Sequence, residues 1–296
     1  MSTSVDDFTL VSEDINVILR TKEALKAAYN MIDLGELTYI LGMHIKRDRK
    51  AGWIELPQER YIEDILESYG KPDVRQISTP ALTNEHLTKL TTLEIDVKSL
   101  QRALGAIVYP MLGTRPDLAY FQAVGALGRH AATPGDEHQR ALDRVFRHLR
   151  ATKDWRLVYQ RGVPEGLTLT GYADADWAND LGDRKSTSGD VFKLAGGAIS
   201  WSSKKHPSVA LSSTEAEYIA GAHAAKELVW LRCLFGEVGL SDDDPTISNR
   251  PAHGQQIGYR DRQKPAGPPQ NQAYQGPTPL HTRLYELEFP LFVCRI

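Results

Sequence analysis

Apolar residues recur every three to four positions in several separate stretches of the chain, which is the period of an amphipathic helix. The longest stretch carries a stripe of alanine and leucine and ends at Gly239, while a shorter one ends at Gly70. Glycine directly after such a pattern is typical of a helix C-terminus. The predicted helices are Ile15–Tyr29, Gln58–Tyr69, Ser99–Leu112, Asp117–His130, Gln139–Ala151 and Thr214–Val238.

Short runs rich in β-branched and aromatic residues predict strands between these helices. In the first half, a turn is predicted at Asp33-Leu34-Gly35 and a charged hairpin loop at Lys46–Gly52. The mixture of helices and strands predicts an α/β (α+β) fold. The predicted strands are Leu37–Ile45, Trp53–Leu56, Leu167–Ala175, Val191–Ser200 and Ser208–Ser212.

Two acids on one predicted strand and a third on the next helix indicate metal-dependent chemistry. Asp174 and Asp176 share a strand face because side chains alternate along a strand, and Glu217 lies near the start of the last helix. Carboxylates of this kind can hold two Mg²⁺ ions that activate water against a phosphodiester. For Asp176, which lies beside the turn at Asn179-Asp180, a purely strand-ending role stays equally open.

The start of the last helix has the pattern of a capping box. Ser212 is the predicted N-cap and Glu215 the reciprocal acid three residues later. Glu215 is therefore predicted to cap the helix, which leaves Glu217 as the acid available for chemistry.

Several basic residues are candidates for contacts with nucleic acid. Taken alone, the outward-facing arginines of helix 139–151 predict a solvated surface. Beside a nuclease site, a surface that contacts phosphates becomes an equally good interpretation. Lys185 lies in a predicted loop, where an ordinary polar turn also accounts for a lysine. The candidates are Arg140, Arg144, Arg147, Arg150, Lys185, Lys204 and Lys205.

Composition limits the other classes of protein. Apolar residues make up 41% and charged residues 25% of the 296 positions, and the net charge is -3, so the whole molecule is not a polybasic binder. No apolar run is long enough for a membrane span, and the N-terminus lacks the pattern of a secretory signal. Two cysteines exclude a disulfide framework, which predicts a reducing intracellular location, cytoplasmic or nuclear.

Four long motifs in the second half resemble the ribonuclease H domain of Ty1/copia-type retrotransposon polyproteins. They are GYADADWA at 171–178, DRKSTSG at 183–189, ISWSSKK at 199–205 and ALSSTEAEYIA at 210–220. The resemblance implies that Asp174 and Glu217 are metal ligands of a two-metal Mg²⁺ site. It also implies that RNA in an RNA–DNA hybrid is the substrate.

The first half is similar to the reverse transcriptase of the same family. VDDFTLV at 5–11 resembles the box with two catalytic acids, which implies that role for Asp6 and Asp7. DLGELTYILGMHIKR at 33–47 and TRPDLAY at 114–120 match the end of the palm, the thumb and the connection. Only four residues precede Val5, so we expect that this chain alone does not synthesise DNA.

Together the resemblances imply a ribonuclease H-like mixed sheet with helices, preceded by a truncated palm, thumb and connection. The expected domains are a palm and thumb remnant at 1–90, a helical connection at 91–163, an incomplete ribonuclease H-like domain at 164–244 and a disordered tail at 245–296. The tail is rich in proline and glutamine and poor in apolar residues, so it cannot bury enough surface to order itself.

The tail departs from the family in a way that the genetic code can explain. From His253 onward, synonymous codons read one nucleotide later can encode Met-Asp-Asn-Lys-Ser-Ala-Ile, and further on Thr-Lys-His-Ile, ending within Arg283. The family continues with such a strand, helix and Thr-Lys-His-Ile segment, so we interpret the tail as the product of a frame slip between about Pro245 and His253. The next metal-binding Asp is then missing, and hybrid cleavage is expected to be weak or absent.

Two alternatives to an enzyme remain open. The chain can be a non-catalytic nucleic-acid-binding remnant that uses the basic residues above, or a pseudogene product without a cellular role.

Overall fold

The structure is a computed structural model that describes residues 2–4, 7–12, 14–71, 74–81, 87, 95–120, 123–163, 168–180, 182–239 and 291–295. The chain divides into two compact units, Met1–Ala51 with Asp261–Ile296, and Gly52–Arg260. Helices combine with small antiparallel sheets in the described ranges, so the α/β prediction is confirmed at that level. No described helix is both long and apolar enough to cross a bilayer.

The first unit contains an N-terminal hairpin and one long helix. Strands β1 (Ser2–Ser4) and β2 (Asp7–Val11) are antiparallel, with Ser4 opposite Asp7. Helix α1 (Ile15–Ala28) begins where the Asp14 side chain accepts a 2.8 Å hydrogen bond from the Asn16 amide. The buried side chains of Leu10 and Ile18 form the centre of its small core.

The predicted turn at 33–35 is wrong, because those residues lie in strand β3 (Ile32–Glu36). This strand pairs with β12 (Leu291–Arg295), which also pairs with β2. A partner more than 250 residues away in sequence leaves no local signal, which explains the error. Strand β12 is the one part of the predicted disordered tail that the structure describes.

The predicted strand 37–45 is divided into two very short strands, β4 (Tyr39–Ile40) and β5 (Met43–His44). Between them Leu41 and Gly42 have φ angles of 49° and 79°, which turn the backbone sharply. Strand β6 (Lys46–Asp48) follows.

The second unit begins with a helical region. Strand β7 (Trp53–Pro57) leads into α2 (Glu59–Tyr69), which ends before Gly70 as predicted. The helices that follow are α3 (Val97–Gly113), α4 (Pro116–Tyr120), α5 (Ala123–Arg129) and α6 (Asp136–Ala151). The buried side chains of α2 to α6 form one core, with Ile62, Ile107 and Leu149 among its most deeply buried residues.

The sheet region follows the helical region in the same unit. Strand β8 (Arg156–Gln160), which the sequence did not predict, pairs with β7. Strands β9 (Thr170–Asp176), β10 (Thr187–Leu194) and β11 (Gly197–Lys205) then form an antiparallel sheet with β10 in the middle. Helix α7 (Ser213–Glu237) packs across β9 and β10.

The predicted strand at Ser208–Ser212 is wrong. Ala195 and Gly196, with φ angles of 50° and 83°, form a tight turn between β10 and β11. Strand β11 can therefore pair along β10 from Leu194–Gly197 to Thr187–Lys205. Residues 208–212 lead from this sheet into the capped start of α7.

Candidate active site

Strand β9 carries Asp174 at one edge of the sheet, with Gly189 of β10 directly opposite. Gly171 leaves room for the ring of Phe192, which lies opposite it on β10, because a Cβ atom at position 171 would lie 2.5 Å from that ring. Ala173 is buried on the opposite face, against α7, while Asp174 is exposed. As predicted, Asp174 and Asp176 lie on the same side of the strand.

The start of α7 is built by the predicted capping box. The Ser212 hydroxyl accepts a 3.1 Å hydrogen bond from the Glu215 amide. The Glu215 carboxylate in turn accepts a 2.6 Å hydrogen bond from the amide of Leu211, one residue before the expected position. Glu215 is therefore engaged in the cap, and Glu217 is the first acid of α7 that faces the sheet.

The structure places Glu217 beside the strand that carries Asp174. The Glu217 carboxylate accepts a hydrogen bond from the backbone amide of Ala175, the residue after Asp174. Burial raises the pKa of Glu217, the negative charge of Asp174 raises it further, and the Ala175 amide acts in the opposite direction. Two carboxylates that repel each other in a partly buried position are stabilised by a cation between them.

Asp176 has a local structural contact. Its carboxylate accepts a short hydrogen bond from the amide of Thr187, the residue opposite it on β10. This contact joins the end of β9 to the start of β10, which fits the strand-ending role that the sequence left open.

The acid pair fits a divalent cation in its donor chemistry but does not form a complete cage. Asp174 and Glu217 supply the hard carboxylate oxygens that Mg²⁺ prefers. Among the described residues, however, no group of three His, Cys, Asp or Glu side chains is placed to hold one metal ion.

The two acids predicted for polymerase chemistry lie in the first unit. Asp6 is outside the described residues, and the backbone of Asp7 opens β2. Asp7 pairs with Ser4 on one side and with Arg295 of β12 on the other.

The arginines of α6 are less solvated than the sequence suggested. Arg144, Arg147 and Arg150 are partly buried, and they donate hydrogen bonds to the segment that follows α2. Arg140 is exposed. The sequence did not predict these hydrogen bonds, because residues 70–79 have no periodic pattern that indicates where they pack.

The three candidate lysines occupy different environments. Lys204 is exposed and Lys185 is partly buried in the loop before β10. Lys205 forms ion pairs with Asp180 and, at 2.8 Å, with Asp183. Burial acts to lower the pKa of Lys205, but these two acids outweigh it and raise the pKa.

The sequence also missed a polar cluster beneath α7. Asp190 of β10 is buried and accepts hydrogen bonds from the Ser202 hydroxyl at 2.5 Å and from His223 Nδ1 at 3.1 Å. Ser188 and His206, both buried, lie 2.6 Å apart through the hydroxyl and Nε2. No sequence spacing joins these residues, and together they attach α7 and the end of β11 to the centre of the sheet.

A second buried polar cluster joins α4 to the end of α6. Arg115 is almost fully buried and donates hydrogen bonds to both carboxylate oxygens of Asp117, at 2.9 and 2.7 Å. It also donates to the Thr152 carbonyl and hydroxyl, and His148 lies 2.8 Å from Asp117. The TRPDLAY motif contains Arg115 and Asp117, but nothing in the sequence points to His148.

Comparisons with known proteins add a consistent set of relatives. A family model described as reverse transcriptase (RNA-dependent DNA polymerase) matches residues 1–83. The Pol polyprotein from transposon TNT 1-94 of Nicotiana tabacum is 39% identical over 250 residues, which are 82% of this chain and 18% of that protein. No solved structure matches the chain.

Two shorter relatives are covered over most of their length. The putative transposon Ty5-1 protein of Saccharomyces cerevisiae is 31% identical over 76% of this chain and 72% of its own length. The secreted RxLR effector protein 161 of Plasmopara viticola is 52% identical over 44% of this chain and 88% of its own length. Of the full transposon polyproteins, in contrast, the chain spans less than a fifth.

Proposed function

This chain belongs to the Pol polyproteins of Ty1/copia-type retrotransposons, and we propose that β9 and α7 carry the acid pair of a ribonuclease H-type site. The ancestral activity is RNA-directed DNA synthesis together with Mg²⁺-dependent hydrolysis of RNA in RNA–DNA hybrids. The observation that carries the proposal is the hydrogen bond between the Glu217 carboxylate and the amide of Ala175, the residue next to Asp174; burial and the Asp174 charge raise the pKa of Glu217.

The fold around the acids supports a ribonuclease H-like domain. Three antiparallel strands in the order β9-β10-β11 present Asp174 on the first strand, at an edge of the sheet. A helix laid across that sheet supplies Glu217 from its second turn. The capping box at Ser212 fixes where α7 begins, and therefore which residues of the helix reach the strand edge.

Each residue of the site has a distinct role in the proposal. Asp174 and Glu217 would hold Mg²⁺, which supplies an activated water and charge stabilisation for phosphodiester hydrolysis. The Ala175 amide orients the Glu217 carboxylate, and Asp176 holds the end of β9 to Thr187. An RNA–DNA hybrid is the proposed partner.

We expect this chain to cleave hybrids weakly or not at all. Within the described residues the site is a pair of acids and not a group of three metal ligands. The next Asp of the family falls in the segment that we attribute to a shifted reading frame, beyond the last described residue of α7. Sequencing the gene and its transcript tests this attribution, because an unshifted gene would encode the tail without the Asp-Asn segment in its second frame.

The acid pair is tested by following the Ala175 amide by NMR during a Mg²⁺ titration. We expect Mg²⁺ to shift this amide in the wild-type chain and in the matched control Glu215→Gln, whose substituted acid belongs to the cap. The Asp174→Asn variant should lose the shift. An amide that does not respond in any of the three proteins would contradict the proposed site.

A hybrid-cleavage assay on the same proteins separates the site from its activity. Little or no Mg²⁺-dependent cleavage is expected for the wild-type chain. Robust cleavage that Asp174→Asn abolishes would overturn the claim that the activity is impaired, while leaving the acid pair in place.

A second candidate function is nucleic-acid binding without cleavage. The row of arginines on α6 favours it, because three of these side chains donate to neutral acceptors. Binding to hybrid that weakens steeply with salt, in the absence of cleavage, is the expected result.

A further inference from the structure

A groove runs between helix α6 and the described residues 70, 71 and 74–79, which follow α2. Two neighbouring pockets, of about 310 and about 290 Å³, make up this groove, and Arg147 lines both. Phe146 and Val74 form part of the apolar wall of the first pocket. The cationic side chains that line the groove are Lys71, Arg75, Arg140, Arg144, Arg147 and Arg150.

Three of the arginines are held in place by neutral acceptors. Arg144 donates to the Thr79 hydroxyl at 2.8 Å, Arg147 to the backbone carbonyl of Arg75 at 2.6 Å, and Arg150 to the carbonyl of Lys71 at 3.0 Å. A guanidinium group has five N–H donors, so one or two such bonds leave it charged and with donors to spare. The Nε atoms of Arg144 and Arg150 are buried without a hydrogen-bond partner.

Among the described residues, Asp143 is the one acid that lines the two pockets. It already binds Lys71 and, at 3.1 Å, the amide of Gln139. Four arginines outside the groove form ion pairs: Arg49, Arg115, Arg129 and Arg156. The groove therefore presents a positive field beside an apolar wall, where charges are screened less than in bulk water.

The spacing of the arginines matches a chain of phosphates and not a single small anion. Arg140, Arg144, Arg147 and Arg150 follow one face of α6, because they are three or four residues apart. With a rise of about 1.5 Å per residue, the row extends over about 15 Å. One strand of a duplex carries a phosphate about every 3.4 Å along the duplex axis, so a row of this length that follows the axis spans about four phosphates of that strand.

We propose that this groove binds the phosphodiester backbone of one nucleic-acid strand, with Lys71 and Arg75 contributing from the wall opposite α6. The proposal rests on the nucleic-acid partner proposed above, but it uses none of the residues of the acid pair. The hydrogen bonds of Arg144, Arg147 and Arg150 pre-organise the cationic row, since these side chains are already ordered before a ligand binds.

The test uses the two groove arginines that are exposed, so that folding is preserved. Arg75→Gln/Arg140→Gln removes two charges, and the Arg140 side chain donates only to the Asp136 carbonyl of its own helix, at 3.4 Å. The control Arg20→Gln/Arg102→Gln changes net charge equally at two exposed arginines of α1 and α3. Fluorescence anisotropy with a labelled RNA–DNA hybrid of about 20 base pairs, at several salt concentrations, measures binding.

For four neutralised phosphates, the logarithm of the wild-type affinity should fall with the logarithm of salt concentration with a slope of about −3.6. The groove variant should reduce the slope by about 2, which corresponds to about 100-fold weaker binding at 0.1 M salt. The control variant should bind like the wild-type chain. Arg147→Gln, which removes the residue shared by both pockets, should also weaken binding while the circular-dichroism spectrum stays unchanged.

Three results would overturn the proposal. One is equal weakening by the groove and control variants, which would mean that only net charge matters. Another is unchanged binding by the groove variant. The third is equally tight, competing binding of a polyglutamate peptide, which would point to an acidic protein as the partner. Failure of the groove leaves the Mg²⁺ response of the Ala175 amide unchanged, whereas failure of the acid pair removes that response, so the two failures remain distinguishable.

Discussion

The helical region and the sheet region of the second unit differ in how completely they bury their apolar residues. Helix α6 buries large side chains, among them Leu142, Phe146 and Leu149, in a core shared by α2 to α6. Helix α7 is longer, yet four residues are buried on it, and three of those are alanines. Its apolar side chains Tyr218, Val229 and Trp230 are 77%, 61% and 56% exposed.

This difference shows which region depends on further contacts. A helix that is apolar on more than one side is normally buried on more than one side. Helix α7 has this composition but packs on one sheet within the described residues, and the core there is small: Leu169, Ala173, Phe192, Ala224 and Leu231. We therefore expect the helical region to be the more stable of the two.

The largest expected effect compares two buried leucines, one from each region. Leu149→Ala in the helical core should lower the free energy of unfolding by about 3–5 kcal/mol, since it removes contacts on all sides. Leu231→Ala in the sheet core should lower it by about 2–3 kcal/mol, near the lower limit for such changes. Urea denaturation followed by circular dichroism measures both.

Hydrogen exchange provides the control for that comparison, because it reports each region separately. Backbone amides of α3 and α6 should exchange more slowly than those of α7 in the wild-type chain. Equal costs for the two leucines, together with equal protection, would show that the two regions form one cooperative core.

A smaller effect is expected on the stability of the helical region at low pH, and it depends on Asp117. Burial acts to raise the pKa of Asp117, but His148 and Arg115 outweigh it and lower the pKa from 3.8 to about 2. A carboxyl with a lower pKa in the folded state stabilises above its unfolded pKa and loses that contribution as the pH falls to the folded value. The free energy of unfolding should therefore drop by about 2 kcal/mol between pH 4 and pH 2.

Substitution at the same position checks the source of that drop. Asp117→Asn should show a weaker loss of stability across this pH range, whatever its stability at pH 7. Asp64→Asn, at an exposed site on α2, should retain the wild-type pH dependence. If Asp117→Asn also retains it, the acid-sensitive groups lie outside this cluster.

The smallest effect on stability is expected on the exposed side of α7. Val229→Gln and Trp230→Gln should change the free energy of unfolding by about 0.5 kcal/mol or less, because neither side chain is buried. Both should reduce self-association measured by light scattering, since exposed apolar patches promote it. A loss of 2 kcal/mol or more in a dilute sample would instead mean that this face is covered.

Local patterns in the sequence determined the helices and one half of the candidate site. The periods of α2 and α6 were sufficient because each of these helices has a strong local repeat. Helix α7 is apolar on more than one side, and the cap at Ser212, a contact between residues three positions apart, marked its start instead. The alternation of side chains along a strand placed Asp174 and Asp176 on one face of β9.

Tertiary structure alone decided the pairings between residues distant in sequence. Strand β3 exists because β12 lies beside it, and β8 because β7 does. Glu217 reaches the strand of Asp174 only when α7 lies across the sheet, and the α6 arginines form a groove only when residues 70, 71 and 74–79 provide its other wall. Helical periodicity and capping are properties of neighbouring residues, whereas each of these contacts depends on how elements far apart in the chain pack together.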